Sequence, residues 1–134
     1  MVTVVFDTNV YISALITEGV CAKILKRARL REFSLSICPF ILNEIKQTLS
    51  KKFRISKKEI SSAIEIIKEA VSNVVYPDMP VPEICEDKDD NHVIACALAS
   101  GANYLVTGDA ELLGIKRYKN IRILSPRDFE LLFD

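Results

Sequence analysis

The sequence predicts an α/β domain built on a mainly parallel sheet. Two observations carry that reading: short β-rich runs recur along the chain, and each is followed by a helical segment with its own start and stop signals. With 134 residues the chain has the length of one domain, 1–134, and can bury about two-thirds of its unfolded surface. In such sheets sites form beyond the carboxyl ends of the strands.

The first run, residues 2–6, is Val-Thr-Val-Val-Phe, as expected for a central strand covered on both faces. It stops at Asp7. Thr8-Asn9 offers N-cap oxygens for a short helix near 10–16, and Glu18-Gly19 breaks it before a second helix over about 20–31. There Val20, Cys21, Ile24, Leu25 and Ala28 make one apolar face, and basic residues fill the rest. Residues 34–38 form a second strand, and Pro39 suits the first turn of a helix running to about Lys51, with Glu44 on the border of its apolar stripe. Ser56-Lys-Lys-Glu59 is a capping box before a helix with Ile60, Ile64, Ile67 and Val71 on one face.

A third strand is expected at 74–76, and Pro77, Pro80 and Pro82 then keep the chain extended to the acidic loop 86–90. Asp89 or Asp90 caps the next helix, which a left-handed Gly101 ends. The remaining elements are a strand at 104–107, a helical turn through Leu112-Leu113, a strand at 121–124 and a helix opened by Ser125-Pro-Arg-Asp128.

Charge is unevenly spread. The 18 basic and 18 acidic residues cancel overall, yet residues 23–68 carry 12 basic and 4 acidic side chains, whereas 69–113 carry 1 and 9. The longest apolar stretches run to about seven residues against the roughly 20 needed to cross a bilayer, and the N-terminus lacks a secretion signal, so a cytoplasmic protein is expected. Cys21, Cys38, Cys85 and Cys96 form no Cys-x-x-Cys pair, and the chain has one histidine. Zinc and thioredoxin-type chemistry lose their usual signatures, and the cysteines are expected to be small buried thiols without function.

Acids gather where the fold makes sites. Asp7 and Asp109 end strands, Asp90 opens the helix leading into the strand at 104–107, and Glu44 lies near the start of the helix after the second strand. Singly, each has an ordinary explanation as a cap or a solvated side chain; their joint placement at one sheet edge favours a site. Two carboxylates ~4 Å apart repel by roughly 4 kcal/mol at an effective dielectric near ~20, and Lys88 alone cannot answer such a cluster. A hard divalent cation can, and oxygen ligands point to Mg²⁺ or Mn²⁺, one or two ions, in a chemistry suited to phosphodiester hydrolysis. Thr8, Asn9 and Thr107 each adjoin a proposed ligand and can hydrogen-bond a carboxylate or a metal-bound water. His92 is expected at the surface or capping the helix, since no partner for a general base is apparent.

The residues in order resemble PIN-domain nucleases, in particular VapC-like toxins of toxin–antitoxin pairs, over nearly the whole chain. Asp7-Thr-Asn-Val-Tyr-Ile-Ser-Ala-Leu looks like the family's opening, Pro39-Phe-Ile-Leu-Asn-Glu44-Ile like its helical glutamate, and Asp87-Lys-Asp-Asp90-Asn with Gly101 and Thr107-Gly-Asp109 like its third and fourth acids. The resemblance implies a sheet of about five strands with helices on both faces. It also implies Mg²⁺- or Mn²⁺-dependent cleavage of single-stranded RNA to 3′-hydroxyl and 5′-phosphate ends. Asp7, Glu44, Asp90 and Asp109 would be the catalytic metal ligands, with Asp87 and Asp89 as possible additional acids. A small antitoxin and a homodimer are the implied partners, with Val10, Tyr11, Ile12 and Leu15 open to either role or to the core. The basic segment 23–68 becomes a candidate contact for the RNA backbone. A haloacid-dehalogenase phosphatase needs an Asp where Asn9 stands, and a response-regulator receiver lacks its paired acids and late lysine. The competing reading is a catalytically inactive PIN-like module that binds RNA or protein.

Overall fold

The computed structural model describes residues 1–133. Its elements run β1 (Thr3–Phe6), α1 (Thr8–Ile16), α2 (Val20–Arg29), β2 (Ser34–Ile37), α3 (Pro39–Lys51), α4 (Lys57–Ala70) and β3 (Asn73–Val74). There follow α5 (Lys88–Ala99), β4 (Tyr104–Val106), α6 (Ala110–Ile115), β5 (Arg117–Tyr118), β6 (Ile121–Leu124) and α7 (Pro126–Glu130).

Six strands form one sheet in the order β3-β2-β1-β4-β6-β5, parallel throughout except for the antiparallel β5–β6 hairpin. The sheet thus has one strand more than expected. The extra strand pairs Arg117 with Arg122 and Tyr118 with Ile121 around a turn at Lys119, whose φ is +53°. Because β1 is central, the chain winds to β2 and β3 on one side and returns to β4 and β6 on the other. Right-handed crossovers then put α1–α4 on one face and α5 and α6 on the opposite one, while α7 packs against α2.

β1 carries the centre of the core: Val4, Val5 and Phe6 are wholly buried. Phe6 meets Tyr11, Phe33 and Phe129 at centroid separations of 5.5, 6.0 and 6.2 Å, in the tilted and edge-on arrangements aromatic rings favour. Val10, Tyr11 and Ile12 belong to this core, which removes these three as a groove for a partner, while Leu15 is half-buried against it; burial raises the Tyr11 hydroxyl far above its ordinary pKa. The carboxyl ends of the parallel strands share one edge, so α1, α3 and α6 start there.

Several sequence expectations are corrected at the caps. Asp7, not Thr8 or Asn9, caps α1 by accepting from the Thr8 N–H, and Asp87, not Asp89 or Asp90, caps α5 by accepting from the Asp89 N–H. The expected Ser56 and Ser125 caps are present, and Gly101 has φ +64° just past α5. Two cysteines depart from their expected role as thiols. Cys38 and Cys96 form a disulfide across 58 positions with Cα atoms 5.9 Å apart, joining the residue that caps α3 to the middle of α5. Cys21 and Cys85 are free. Among the described residues, no helix is long and apolar enough to cross a membrane.

Candidate active site

Asp7 follows β1 and Asp109 follows β4, and these strands are hydrogen-bonded neighbours, so both acids reach the same edge. Thr107 joins them. Its Oγ1 donates to Asp7 Oδ2 at 2.7 Å and accepts from the Asp109 N–H at 3.0 Å. Asp7 Oδ1 accepts from the Thr8 N–H at 2.7 Å, and Asp109 Oδ2 accepts from the Leu112 N–H at 3.0 Å. Thr8 Oγ1 donates to Glu44 Oε1 at 2.6 Å, which ties the acid on α3 to the start of α1. Two of the three polar neighbours predicted to support the acids therefore do so. Asn9 does not join them; it is exposed on α1.

The electrostatics is that of a negative cluster with no counter-charge paired to it among the described residues. Burial raises Asp7 above its ordinary pKa; its bonds from Thr107 and Thr8 pull the other way, and the charges of Asp109 and Asp87 push it up again. Glu44 is pushed up to about 7, first by burial, against its Thr8 bond, and further by a hydrogen bond to Asp89 and the charges of Asp89 and Asp7. Asp90 also rises to about 7, through burial, the charges of Asp109, Asp87 and Asp7, and a hydrogen bond with Asp109. All three Asp of the acidic loop thus act on the site: Asp87 on Asp7 and Asp90, Asp89 on Glu44, and Asp90 with Asp109. Among the described residues, no ion pair to Lys, Arg or His involves any of these acids.

Two residues at the site were not anticipated. Cys85, Asp90 and Glu111 bring one potential ligand atom each within 4.8 Å of one another. Glu111 lies two residues beyond Asp109 in the first turn of α6, a spacing that hinted at it, and its Oε2 accepts from the Glu86 N–H at 3.0 Å. Cys85 had no signal. Buried Asn91 places it, with Oδ1 accepting from the Cys85 N–H at 2.8 Å and Nδ2 donating to the Cys85 carbonyl at 3.1 Å. Burial and the charges of Glu111, Asp90, Asp109 and Asp87 push the Cys85 thiol up to about 11. His92, expected at the surface or in a cap, instead stacks on Phe40 with centroids 4.4 Å apart and planes at 16°.

Carboxyls whose pKa is raised chiefly by burial and by other acids fit a bound cation, and their hard oxygens suit Mg²⁺ or Mn²⁺ better than a soft metal. A family profile described as the PIN domain matches residues 3–111. The chain belongs to the PIN-domain family. Members of this family are nucleases. An uncharacterized protein of Methanocaldococcus jannaschii is 33% identical over 143 residues, covering 96% of this chain and 89% of its own. The PIN fold is shared with a chain of VapBC2 from Rickettsia felis, solved bound to a DNA fragment from their promoter. That likeness has a TM-score of 0.65 at 17% identity and covers 92% of this chain and 98% of the other.

Proposed function

We propose that this PIN domain is a divalent-metal-dependent endoribonuclease that hydrolyses phosphodiester bonds of single-stranded RNA. One observation carries the reading: Asp7, Glu44, Asp90 and Asp109 converge at the carboxyl edge of the sheet, with Asp87 and Asp89 beside them and, among the described residues, no basic side chain paired to them. These acids are the proposed ligands of one or two Mg²⁺ or Mn²⁺ ions. A bound ion of this kind acidifies a coordinated water and offsets the charge of phosphate oxygens.

The chain's own residues prepare the site. Thr107 fixes Asp7 against Asp109, and Thr8 fixes Glu44 against Asp7, so three elements present their carboxylates in set orientations before substrate arrives. The N-termini of α1, α5 and α6 direct backbone N–H groups at Asp7, Asp87 and Asp109, which sets the orientation of each carboxyl group. Burial and neighbouring acids push Glu44 and Asp90 up to about 7, and a bound cation would favour their carboxylate forms.

The likeness to a chain of VapBC2 supports a further part of the proposal, that the protein is a toxin with a small antitoxin partner; that it acts in the cytoplasm as a homodimer is proposed from the sequence alone. Purified protein is incubated with unstructured RNA in Mg²⁺, in Mn²⁺ and in EDTA. Cleavage to 3′-hydroxyl and 5′-phosphate ends is expected only with metal, and its loss in Asp7→Asn and Asp109→Asn. Metal-independent cleavage, or undiminished cleavage by both variants, would overturn the enzyme reading. Absence of cleavage by wild type would leave a PIN module that only binds.

A further inference from the structure

The carboxyl edge does not end at the acids. From β1 it continues across β2 to β3, and the residues that follow those strands are of a different kind. Phe40 is the second residue of α3, one helical turn before Glu44, so the two side chains lie on one side of the helix. Its ring is fixed by the His92 stack, and His92 itself stands two residues past Asp90. Beyond this stack a groove of ≈ 540 Å³ opens between the start of α3 and the chain after β3, lined by Phe40, Asn43, Lys46 and Tyr76 together with the apolar Pro39, Leu42 and Val74.

Phe40, Asn43 and Lys46 recur every three residues and form one ridge of α3. Tyr76 lines the other side from the chain just after the edge strand β3. The Val75 N–H donates to the Ile37 carbonyl at 2.8 Å, and Pro77 restrains Tyr76 to an extended backbone, so the phenol is presented on a fixed support with 73% of its surface exposed. The groove therefore combines two aromatic rings, an amide able to donate and accept, and one cation. That is the set a single-stranded nucleotide needs: π-faces for the base, an amide for its edge and a cation for its phosphate. β3 lies two strand spacings from β1, on the order of 10 Å, so the groove lies along the same sheet edge as the acids but apart from them.

We infer that the groove between Phe40 and Tyr76 is a nucleotide subsite. It stacks a base of the single-stranded RNA next to the bond being cut, with Lys46 on the adjacent phosphate. This rests on the ribonuclease reading and adds which part of the surface holds the strand. The groove suits stacking of any base, since every base has a π-face, with Asn43 as the group able to discriminate base edges.

The test measures binding apart from cleavage. Fluorescence anisotropy follows a labelled phosphorothioate single-stranded RNA binding to the full chain in Mg²⁺, and steady-state cleavage of the unmodified RNA is measured in parallel. Tyr76→Ala is expected to raise Kd and KM about 5- to 100-fold, the range for one lost base stack, while kcat stays within about twofold. Tyr76→Trp should restore binding. Lys46→Ala should lower the slope of log affinity against log salt by about 0.7. Because Tyr76 is exposed, its variants are expected to fold as wild type, which circular dichroism checks.

Cleavage with unchanged Kd and KM in Tyr76→Ala overturns the subsite and leaves the ribonuclease reading intact. Binding lost in Tyr76→Ala and restored in Tyr76→Trp supports the subsite, even in a protein that does not cleave. Unaltered RNA binding with loss of a co-purifying small protein overturns the subsite in favour of a protein-docking groove, and a wild type that neither binds nor cleaves overturns both readings.

Discussion

Replacing Thr107 with Val tests whether the acids are held in place by hydrogen bonds or merely gathered by the fold. Thr107 is wholly buried, and its hydroxyl serves two partners, donating to Asp7 Oδ2 and accepting from the Asp109 N–H. Val keeps the shape and removes both. A hydrogen bond to a charged group contributes roughly 1.5–3 kcal/mol, and a buried N–H left unpaired adds about 1 kcal/mol more. The expected loss is about 2–4 kcal/mol at pH 8, where Asp7 gains most from the bond as a carboxylate. The Thr107 bond holds the Asp7 pKa down against burial, so its removal lets Asp7 protonate at a higher pH. Once Asp7 is protonated, the charge-assisted part of the bond is gone in wild type too, and the loss at pH 4 should be smaller. Urea unfolding in EDTA at both pH values measures this, with Thr107→Ser as the control that keeps the hydroxyl and gives up about 1 kcal/mol for one methyl. A Val variant within about 0.5 kcal/mol of wild type, or a Ser variant as damaged as Val, would show that the hydroxyl does not organise the site.

Three further outcomes are expected. Glu44 and Asp90 bind protons more tightly in the folded than in the unfolded chain. Their stabilising contribution is present below the ordinary values of 4.5 and 3.8 and is lost as pH rises through about 7. Metal-free protein should therefore lose on the order of 1–3 kcal/mol between pH 5 and 8, after allowance for solvent around the half-buried Glu44, and Mg²⁺ should restore more at pH 8 than at pH 5. A flat profile in EDTA contradicts this. Gly101→Ala should cost about 1 kcal/mol in thermal or urea unfolding, because φ is +64° while an added Cβ meets nothing within 4 Å. An unchanged midpoint would mean the backbone there is not held left-handed. Non-reducing peptide mapping of denatured protein should find Cys38 linked to Cys96, with Cys21 and Cys85 alkylated, and Cys96→Ala should lose up to roughly 4 kcal/mol for a loop of this length. Alkylation of all four cysteines without reductant refutes the link.

What could be read from the sequence follows from how far each signal reaches along the chain. The amphipathic helix of residues 57–70 and the Ser125 cap are local patterns of a few residues, and they were legible to within a position or two. The hairpin strand Arg117–Tyr118 was not, because its turn uses Lys119 at positive φ instead of the glycine that normally marks such a turn. The four principal acids were legible because strand ends in a parallel sheet share an edge. The Cys38–Cys96 pair, the Phe40–His92 stack and the placement of Cys85 beside Glu111 were not, since each depends on which helix faces which across tens of residues, and no periodicity records that. The basic segment was legible only as composition. Arg27 is bound to Glu32 and Glu130, and Arg31 donates to the carbonyls of Ala28 and Ala70, so part of that charge holds the fold together, whereas Lys46 faces the groove.

The ordinary reading of the acids does not exclude the proposed functional one. Asp7, Asp87 and Asp109 each cap a helix and each belong to the cluster, because the edge where parallel strands end is also where the following helices begin. Capping supplies what a cluster of acids most lacks, N–H groups and positive helix ends close to each carboxylate. Glu44 and Asp90 do not cap their helices, and it is these two whose pKa rises to about 7. The division has a chemical consequence: the capping acids have backbone N–H groups to orient them, while Glu44 and Asp90, pushed up to about 7, would give up a proton near neutrality to a bound cation. Metal occupancy should then be governed by the pair that does not cap, and substitutions there should shift the pH at which metal binds more than equivalent substitutions at the caps.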